Sequence, residues 1–401
     1  MKIALVSQEY PPETARGGIG SQTFAKAKGL SALGHQVFVI SRSIDEKRHE
    51  CSDGNITVIR IPGMEKLLPE MTPQVQWITH SVAVAAEIET LNKQVNLDII
   101  DFPEWAAEGY CYLLNRKEWN GVPAVIQLHG PLVMLAHTIG WPEMKSEFYA
   151  IGSHMEATCV RLVDAVYSSS ECSAQWIRTH YEPNKENIPV IHLGIDTKQF
   201  SPKAVTKNEQ PTIIFIGKIV ENKGVRELVV AASRLTTAFP GLQLKMFGRG
   251  DDRFIASLEH EAERLGAKGM LNFAGFAIAD IIPDELSRAH IFAAPSWYEG
   301  GPGFVYLEAM ACGLPVIACS GSGAEEIIQH NENGILVPPR DADSLQKALH
   351  TLLIDRAYAA SMGNAGRNYV LKECDSKDCL KRLEDFYFTV VKKNTTEALI
   401  N

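Results

Sequence analysis

The chain has 401 residues, of which 45% are hydrophobic and 22% charged, and its formal net charge is -9. That length exceeds a single ordinary hydrophobic core and suits two domains. The acidic balance argues against a dedicated nucleic-acid binder, although a local basic patch could still hold an anionic ligand. No apolar run approaches the ~20 residues needed to span a bilayer. The opening MKIALVSQEYPPE has no small-residue cleavage site after its apolar run, and reads as a buried strand rather than a signal peptide. The eight cysteines, Cys51, Cys111, Cys159, Cys172, Cys312, Cys319, Cys374 and Cys379, form no C-x-x-C pair. They read as thiols in a reducing cytosol. The twelve histidines form no H-E-x-x-H, and no metal site is expected.

Along the chain, short apolar runs alternate with amphipathic stretches. KIALVS (2–7) is a strand, SQTFAKAKGLSAL (21–33) has helical spacing and stops at Gly34, and HQVFVIS (35–41) is the next strand. Strand, helix, strand signals a parallel sheet. NITVIRI, LDIIDF, AVIQLHG, DAVYSSS and PVIHLGID extend the series to about residue 196. TKQFSPKAVTKNEQP (197–211) then breaks the rhythm and reads as a linker between domains. A second series follows: TIIFIGK, the helical VRELVVAASRL, then LQLKMFG, MLNFAG, HIFAAPS, PVIACS and GILVPP. Near-continuous apolar runs fit strands buried on both faces. The last stretch, from about 376, is helical, carries Phe386, Tyr387 and Phe388, and is expected to cross back to the first domain. The expected class is α/β, with two doubly wound Rossmann-like domains (1–200 and 201–375, the 376–401 helix returning to the first) facing across a cleft.

Glycine-bearing turns fall where strand ends should open into that cleft. One is Ala15-Arg16-Gly17-Gly18-Ile19-Gly20; another is Gly217 to Gly224, with Lys218 and Lys223; the third is Glu299-Gly300-Gly301-Pro302-Gly303. Each by itself is consistent with a tight turn. Together they suit a phosphate or a developing oxyanion, because glycine lets backbone amides approach and a helix N-terminus carries partial positive charge. Lysines in a turn are ordinarily solvated, but Lys218 directly follows a buried run. Cations for phosphate, with Glu299 and Glu308 for hydroxyls, describe a nucleotide-sugar pocket.

At this point the chain resembles a known family. YEGGPGFVYLEAMACGLPVIA resembles the E-x7-E signature of retaining glycosyltransferases of the GT4 family, which have the GT-B fold. GKIVENKGVRELV is similar to that family's phosphate-binding stretch, ARGGIGSQTFAKAKGLSALGHQVFVIS to its N-terminal glycine loop and helix, and IHLGIDTKQFSP to its segment leading into the linker. The likeness spans nearly the whole chain in order. Two departures stand out: Glu299 and Glu308 are one residue further apart than in the family pattern, and Lys218 stands where arginine is usual. Lysine keeps the charge but lacks the planar fork.

The resemblance implies roles position by position. Glu308 holds the ribose hydroxyls, Gly303 and Phe304 offer backbone amides to the donor, and Glu299 meets the transferred sugar. Lys218 and Lys223 stabilise the leaving diphosphate, with Gly17 and Gly18 approaching it from the first domain. His129, at the end of AVIQLHG, matches the family's strand-end histidine and is expected to orient the donor rather than act as general base. On the acceptor side Glu104 and Trp105 are candidates, with Trp105 equally suited to packing. HTIGWPEM (137–144) is read as a mobile loop over the acceptor mouth or an ordinary surface loop. No cofactor or metal is implied; Asp251-Asp252 follows a glycine turn and reads as exposed.

The implied partners are a nucleotide-sugar donor (UDP-glucose first, GDP-mannose second) and a saccharide or lipid-linked saccharide acceptor in polysaccharide or cell-envelope synthesis. The expected location is cytoplasmic, with peripheral contact at the inner face of the cell membrane. Rival readings are a nucleotide-sugar epimerase or hydrolase on the same fold, a non-catalytic sugar-binding protein, and a nicotinamide-dependent oxidoreductase. Against the last, no G-x-G-x-x-G directly follows a first strand with an acidic residue about twenty positions on.

Overall fold

Strands that are apolar on both faces must be covered on both faces, and this requirement organises the chain. The computed structural model describes residues 1–14, 18–45, 47–62, 72–117, 121–183, 187–276 and 280–400, with side chains described to 394. They fall into two units, Met1–Leu193 with Lys377–Asn401, and Gly194–Ser376.

In the first unit, strands β1 (Lys2–Val6), β2 (Gln36–Arg42), β3 (His49–Asp53), β4 (Ile56–Ile61), β5 (Ile99–Pro103), β6 (Ala124–Leu128) and β7 (Ala165–Ser168) form a seven-stranded sheet ordered β3-β4-β2-β1-β5-β6-β7. Every pairing is parallel except β3 with β4. Helices α1 (Gly18–Ala32), α2 (Pro73–Val95), α3 (Tyr110–Asn115), α4 (Leu132–Ile139), α5 (Glu147–Leu162) and α6 (Glu171–His180) connect the strands. All residues of β5 and β6 are buried. The β3 strand, HECSD, is exposed throughout and pairs by a hairpin in which Asp53 faces Ile56. Gly54, at φ 62, makes that tight turn.

The second unit has a six-stranded sheet of β8 (Thr212–Ile216), β9 (Gln243–Phe247), β10 (Leu271–Gly275), β11 (Ile291–Ala293), β12 (Val316–Cys319) and β13 (Ile335–Val337). Its order is β10-β9-β8-β11-β12-β13, all parallel. Helices α7 (Val225–Ser233), α8 (Asp252–Arg264), α9 (Ile282–Arg288), α10 (Phe304–Ala311), α11 (Ala342–Ile354) and α12 (Arg356–Glu373) surround it, and α13 (Ser376–Ile400) closes the chain.

Two segments differ from the sequence reading. PVIHLGID is not a strand: Val190 and Ile195 make only isolated bridges, to Ser168 and Asp375, and Gly194 at φ 65 interrupts the run. The boundary expected at 200/201 falls instead at 193/194. The 197–211 stretch lies along the second unit, because Phe200 is buried in that unit's core and the Lys203 and Asn208 amides donate to Ser287 and Arg288.

Strand order fixes where ligands can enter. In an open parallel sheet the crevice lies at the carboxyl ends of the strands where the winding direction reverses. That point falls between β1 and β5 in the first unit and between β8 and β11 in the second. At each, a hydrogen bond ties the two flanking loops. The Gln8 amide donates to Glu108 Oε1 at 3.0 Å, and the Trp297 amide donates to the Asn222 carbonyl at 3.0 Å.

The helix α13 is held to the first unit by polar contacts as well as by buried Leu383 and Tyr387. His35 Nε2 lies 2.7 Å from Glu384 Oε1, and Leu380 fills the space above Gly29. The Tyr387 hydroxyl donates to Asp101 Oδ2, which also receives Lys26 Nζ at 2.6 Å and the Tyr167 hydroxyl at 2.7 Å. Lys26 is buried, and burial lowers its pKa against the opposing pull of Asp101. Removing one partner of a buried ion pair typically costs about 3–5 kcal/mol, so Asp101→Ala is expected to destabilise the unit by that amount. Tyr387→Phe deletes one hydroxyl and is expected to cost about 1–2 kcal/mol. Denaturant unfolding of both variants tests the ranking; equal losses would remove Asp101 from the centre of the network.

Candidate active site

In the second unit the chemistry gathers where β8 and β11 end. Lys218, just beyond β8, is exposed. A short 3-10 turn, Glu221–Lys223, follows, and Gly224 at φ 65 ends it. A side chain at Gly224 would collide with the Pro295 carbonyl oxygen, so close approach of the two loops requires glycine there. The result is that Lys223 Nζ meets Glu299 Oε1 at 2.7 Å, with both side chains partly buried. The Glu299 carbonyl is itself fixed, accepting the Gly323 amide at 2.9 Å.

Beyond Glu299 the chain turns at Gly303, φ 67, and enters α10 without a side-chain cap. Among the described residues no acceptor is recorded for the amides of Gly303, Phe304 and Val305, so they form an unfilled set of donors at a helix N-terminus. The Tyr306 hydroxyl donates to the Ala294 carbonyl at 2.5 Å and pins α10 to the end of β11. Glu308 is half-buried, and burial raises its pKa to about 7. No hydrogen bond or ion pair engages its carboxylate among the described residues.

In the first unit, Gly17 lies outside the described residues, and Gly18 opens α1 with nothing within 4 Å of the position a Cβ would take. Glu104, expected to face an acceptor, turns inward instead. It is fully buried, and its carboxylate accepts the His129 amide (2.7 and 2.8 Å) and the Gly130 amide. Burial raises its pKa to about 7 against those hydrogen bonds. His129 stands at the end of β6 with Nδ1 buried and without a hydrogen-bond partner. Burial and the nearby Lys26 charge lower its pKa to about 3, so the imidazole is neutral at working pH.

Trp105 packs edge-on to Trp77 (centroids 5.6 Å apart) and stacks on Trp141 at 6.2 Å, a residue that is 49% exposed. The segment read as a mobile loop is partly regular: residues 137–139 complete α4, and Gly140 at φ 72 ends it.

The signature described as Glycosyl transferases group 1 matches residues 196–369, and that of Glycosyltransferase Family 4 matches residues 16–199. A GDP-mannose-dependent alpha-(1-6)-phosphatidylinositol monomannoside mannosyltransferase of Mycobacterium tuberculosis is 30% identical over 297 residues, covering 67% of this chain and 74% of its own. The chain belongs to glycosyltransferase family 4. The sucrose-phosphate synthase of Thermosynechococcus elongatus superposes with a TM-score of 0.81 at 22% identity, over 98% of this chain and 99% of its own. Anabaena HepE, in complex with UDP and glucose, gives 0.73 at 19%, over 97% and 100%. Both place the fold in the GT-B class. As a family 4 glycosyltransferase, the chain transfers a sugar from a nucleotide sugar.

Sequence reasoning did not find Glu156 and Tyr181. The Leu132 amide donates to Glu156 Oε2 at 2.9 Å, the Tyr181 hydroxyl donates to the same oxygen at 2.7 Å, and the Val133 amide donates to Tyr181 Oη at 3.4 Å. The sequence carries a usable signal, since Glu156 interrupts the otherwise apolar helix face Met155, Ala157, Cys159, Val160. Arg340 was also missed; its guanidinium lies 4.2 Å from the Trp297 ring centroid, past the end of β13.

A neutral His129 has a direct test. Its imidazole NMR shifts are expected to show a midpoint below about 5, against the ordinary ~6.5. A midpoint at the ordinary value would show that the ring is hydrated and open to protonation.

Proposed function

We propose that this glycosyltransferase moves a hexosyl unit, with retention of anomeric configuration, from a nucleoside-diphosphate hexose to a saccharide or lipid-linked saccharide in polysaccharide or cell-envelope synthesis. The observation that carries this reading is the arrangement at the β8/β11 switch point. Two lysines and the uncapped α10 amides suit a diphosphate, while Glu308, without a partner among the described residues, suits ribose hydroxyls. In the reaction the bond from the anomeric carbon to the diphosphate oxygen breaks and a bond to the acceptor oxygen forms on the same face. The acceptor proton passes to the leaving diphosphate. Lys218 and Lys223 stabilise the negative charge that gathers there, and neutral His129 orients the donor sugar rather than taking the proton.

For the donor, the 30%-identical mannosyltransferase favours GDP-mannose over the UDP-glucose expected from the sequence. UDP-glucose is the second reading, and thermal-shift screening of UDP-, GDP- and ADP-sugars decides between them, because a ligand selective for the folded state raises its stability. The enzyme works in the cytoplasm, at the inner face of the membrane when its acceptor is lipid-linked. Among the described residues no helix is long and apolar enough to cross a membrane. Turnover is expected to persist in excess EDTA; loss restored by magnesium or manganese would overturn a lysine-based phosphate site.

Glu308→Ala is expected to weaken nucleoside-diphosphate binding roughly ten- to a hundredfold, the usual worth of a charged hydrogen bond. Because ribose hydroxyls donate to the ionised carboxylate, binding should release a proton near neutral pH. Affinity should therefore rise with pH up to about 7 and then level off. Calorimetry in buffers of differing ionisation enthalpy reads this directly, and pH-independent binding would remove Glu308 from the ribose.

Lys223→Ala and Glu299→Ala are each expected to lower kcat by roughly a hundredfold, as loss of one preorganised charge does. Since the two side chains are ion-paired, the double variant should fall well short of the product of the single effects. Fully multiplicative losses in steady-state kinetics would separate their roles.

A further inference from the structure

The loop after β6 has an unusual feature: its backbone donors are consumed by buried side chains from other elements. His129 and Gly130 donate to Glu104, which follows β5, the strand paired with β6 in the register Pro103 to Gln127. Residue 131 is proline and has no amide hydrogen, and as the N-cap of α4 it offers no side-chain cap. The next two donors are therefore met from a distance, Leu132 by Glu156 on α5 and Val133 by Tyr181 just past α6. Both carboxyl groups are fully buried.

Burying a carboxylate is costly, and a serine or asparagine could cap the same amides at less expense. What the carboxylate adds is a short, charge-assisted, two-point grip on consecutive amides, which fixes backbone direction as well as position. The backbone on Glu104's own side is equally constrained. Its amide donates to the Gln127 carbonyl at 3.1 Å, and its carbonyl accepts the Ala107 amide at 3.0 Å. The imidazole of His129 hangs from the gripped amide, with Nδ1 buried and unpartnered, so no hydrogen bond at that nitrogen sets the ring's direction.

We propose that Glu104 is a positioning residue for the transfer reaction: its carboxylate, by holding the His129 and Gly130 amides, sets the direction in which the His129 ring and carbonyl are presented, with Glu156 and Tyr181 anchoring the following turn. This rests on the reading of His129 as the group that orients the donor sugar. Glu104 itself touches no substrate. Its contribution should appear in the rate of the chemical step and not in nucleotide affinity, which is assigned to residues of the other unit.

The test is a pair of near-isosteric substitutions, each made alone and in combination with His129→Ala. Glu104→Gln keeps the shape but brings a donor against one of the two amides, and Glu104→Asp keeps the charge but withdraws it by one methylene. Folding is checked by circular dichroism and thermal midpoint, nucleoside-diphosphate affinity by calorimetry, and kcat and donor KM by steady-state assay with the donor that the wild type turns over. Whichever variant folds is expected to bind nucleotide within about threefold of wild type while kcat falls roughly ten- to a hundredfold, the scale of a small misplacement of a catalytic group. In the His129→Ala background the same substitution should change kcat by less than about threefold, because the group it positions is gone. A folded Glu104 variant with near-normal kcat would overturn the proposal. So would a loss in kcat that persists undiminished in the His129→Ala background, or one that merely tracks the thermal midpoint and nucleotide affinity. A wild type that turns over no nucleoside-diphosphate sugar would sink the functional reading itself, a separate result from any of these.

Discussion

A strand covered on both faces can offer polar groups only where it ends, and that constraint places nearly all of the chemistry in this protein. The two sheets are apolar along their inner strands, so no hydroxyl or carboxylate along β8 or β11 reaches solvent. Function is displaced to the carboxyl edge, and the strand order then selects which loops stand open. Between β8 and β11 the helices that follow leave on opposite faces of the sheet, so the two loops splay and expose their backbone. Glycine at 224 lets those loops close to hydrogen-bonding distance, and the Lys223–Glu299 pair forms as a consequence.

The first unit meets the same constraint with buried charge. Asp101 lies within β5, where a carboxylate would ordinarily be unacceptable, and it is tolerated because Lys26, Tyr167 and Tyr387 all donate to it. One of these donors comes from the end of the chain, so the last helix completes a network begun by the first. Lys26 has a second effect. Its charge, added to burial, holds the His129 imidazole neutral, which links the network to the strand-end histidine through electrostatics rather than contact.

How far this was legible in the sequence follows from the same physics. Parallel strands announce themselves as largely apolar runs, and the runs that became β1, β2, β4 to β13 are of that kind, the edge strand β10 being the least buried. The edge strand HECSD carries no such pattern, since its pairing depends on β4 and a tight turn rather than on burial. The 197–211 segment looked like a linker because it is largely polar, but one buried aromatic, Phe200, is enough to seat it in a core. Glycine loops marked the turns at the strand ends, whereas side-chain partners were not legible. Lys223 and Glu299 are 76 positions apart, and nothing local to either names the other. Glu104 misled for a related reason: a carboxylate at a strand end reads as exposed unless the amides it holds, on a neighbouring strand, are known.

Two carboxylates in the second unit differ in a way that matters for how the site receives its ligand. Glu299 is already satisfied by Lys223, in a setting of intermediate burial where a pair contributes little net stability. If a diphosphate binds as proposed, redirecting Lys223 toward it sacrifices little, since the ammonium exchanges one anionic partner for another or shares both. Among the described residues Glu308 has no partner to lose. Its desolvation is built in by the fold of α10, as its raised pKa records, so a ligand hydroxyl that hydrogen-bonds it relieves an existing cost without breaking a contact. On the proposed reading, the nucleotide would meet an unsatisfied acceptor and the reacting end a paired charge that can be re-partnered as negative charge develops. That asymmetry is what a transferase requires, because interactions that strengthen only as the bond breaks raise the rate, while those already complete in the ground state do not.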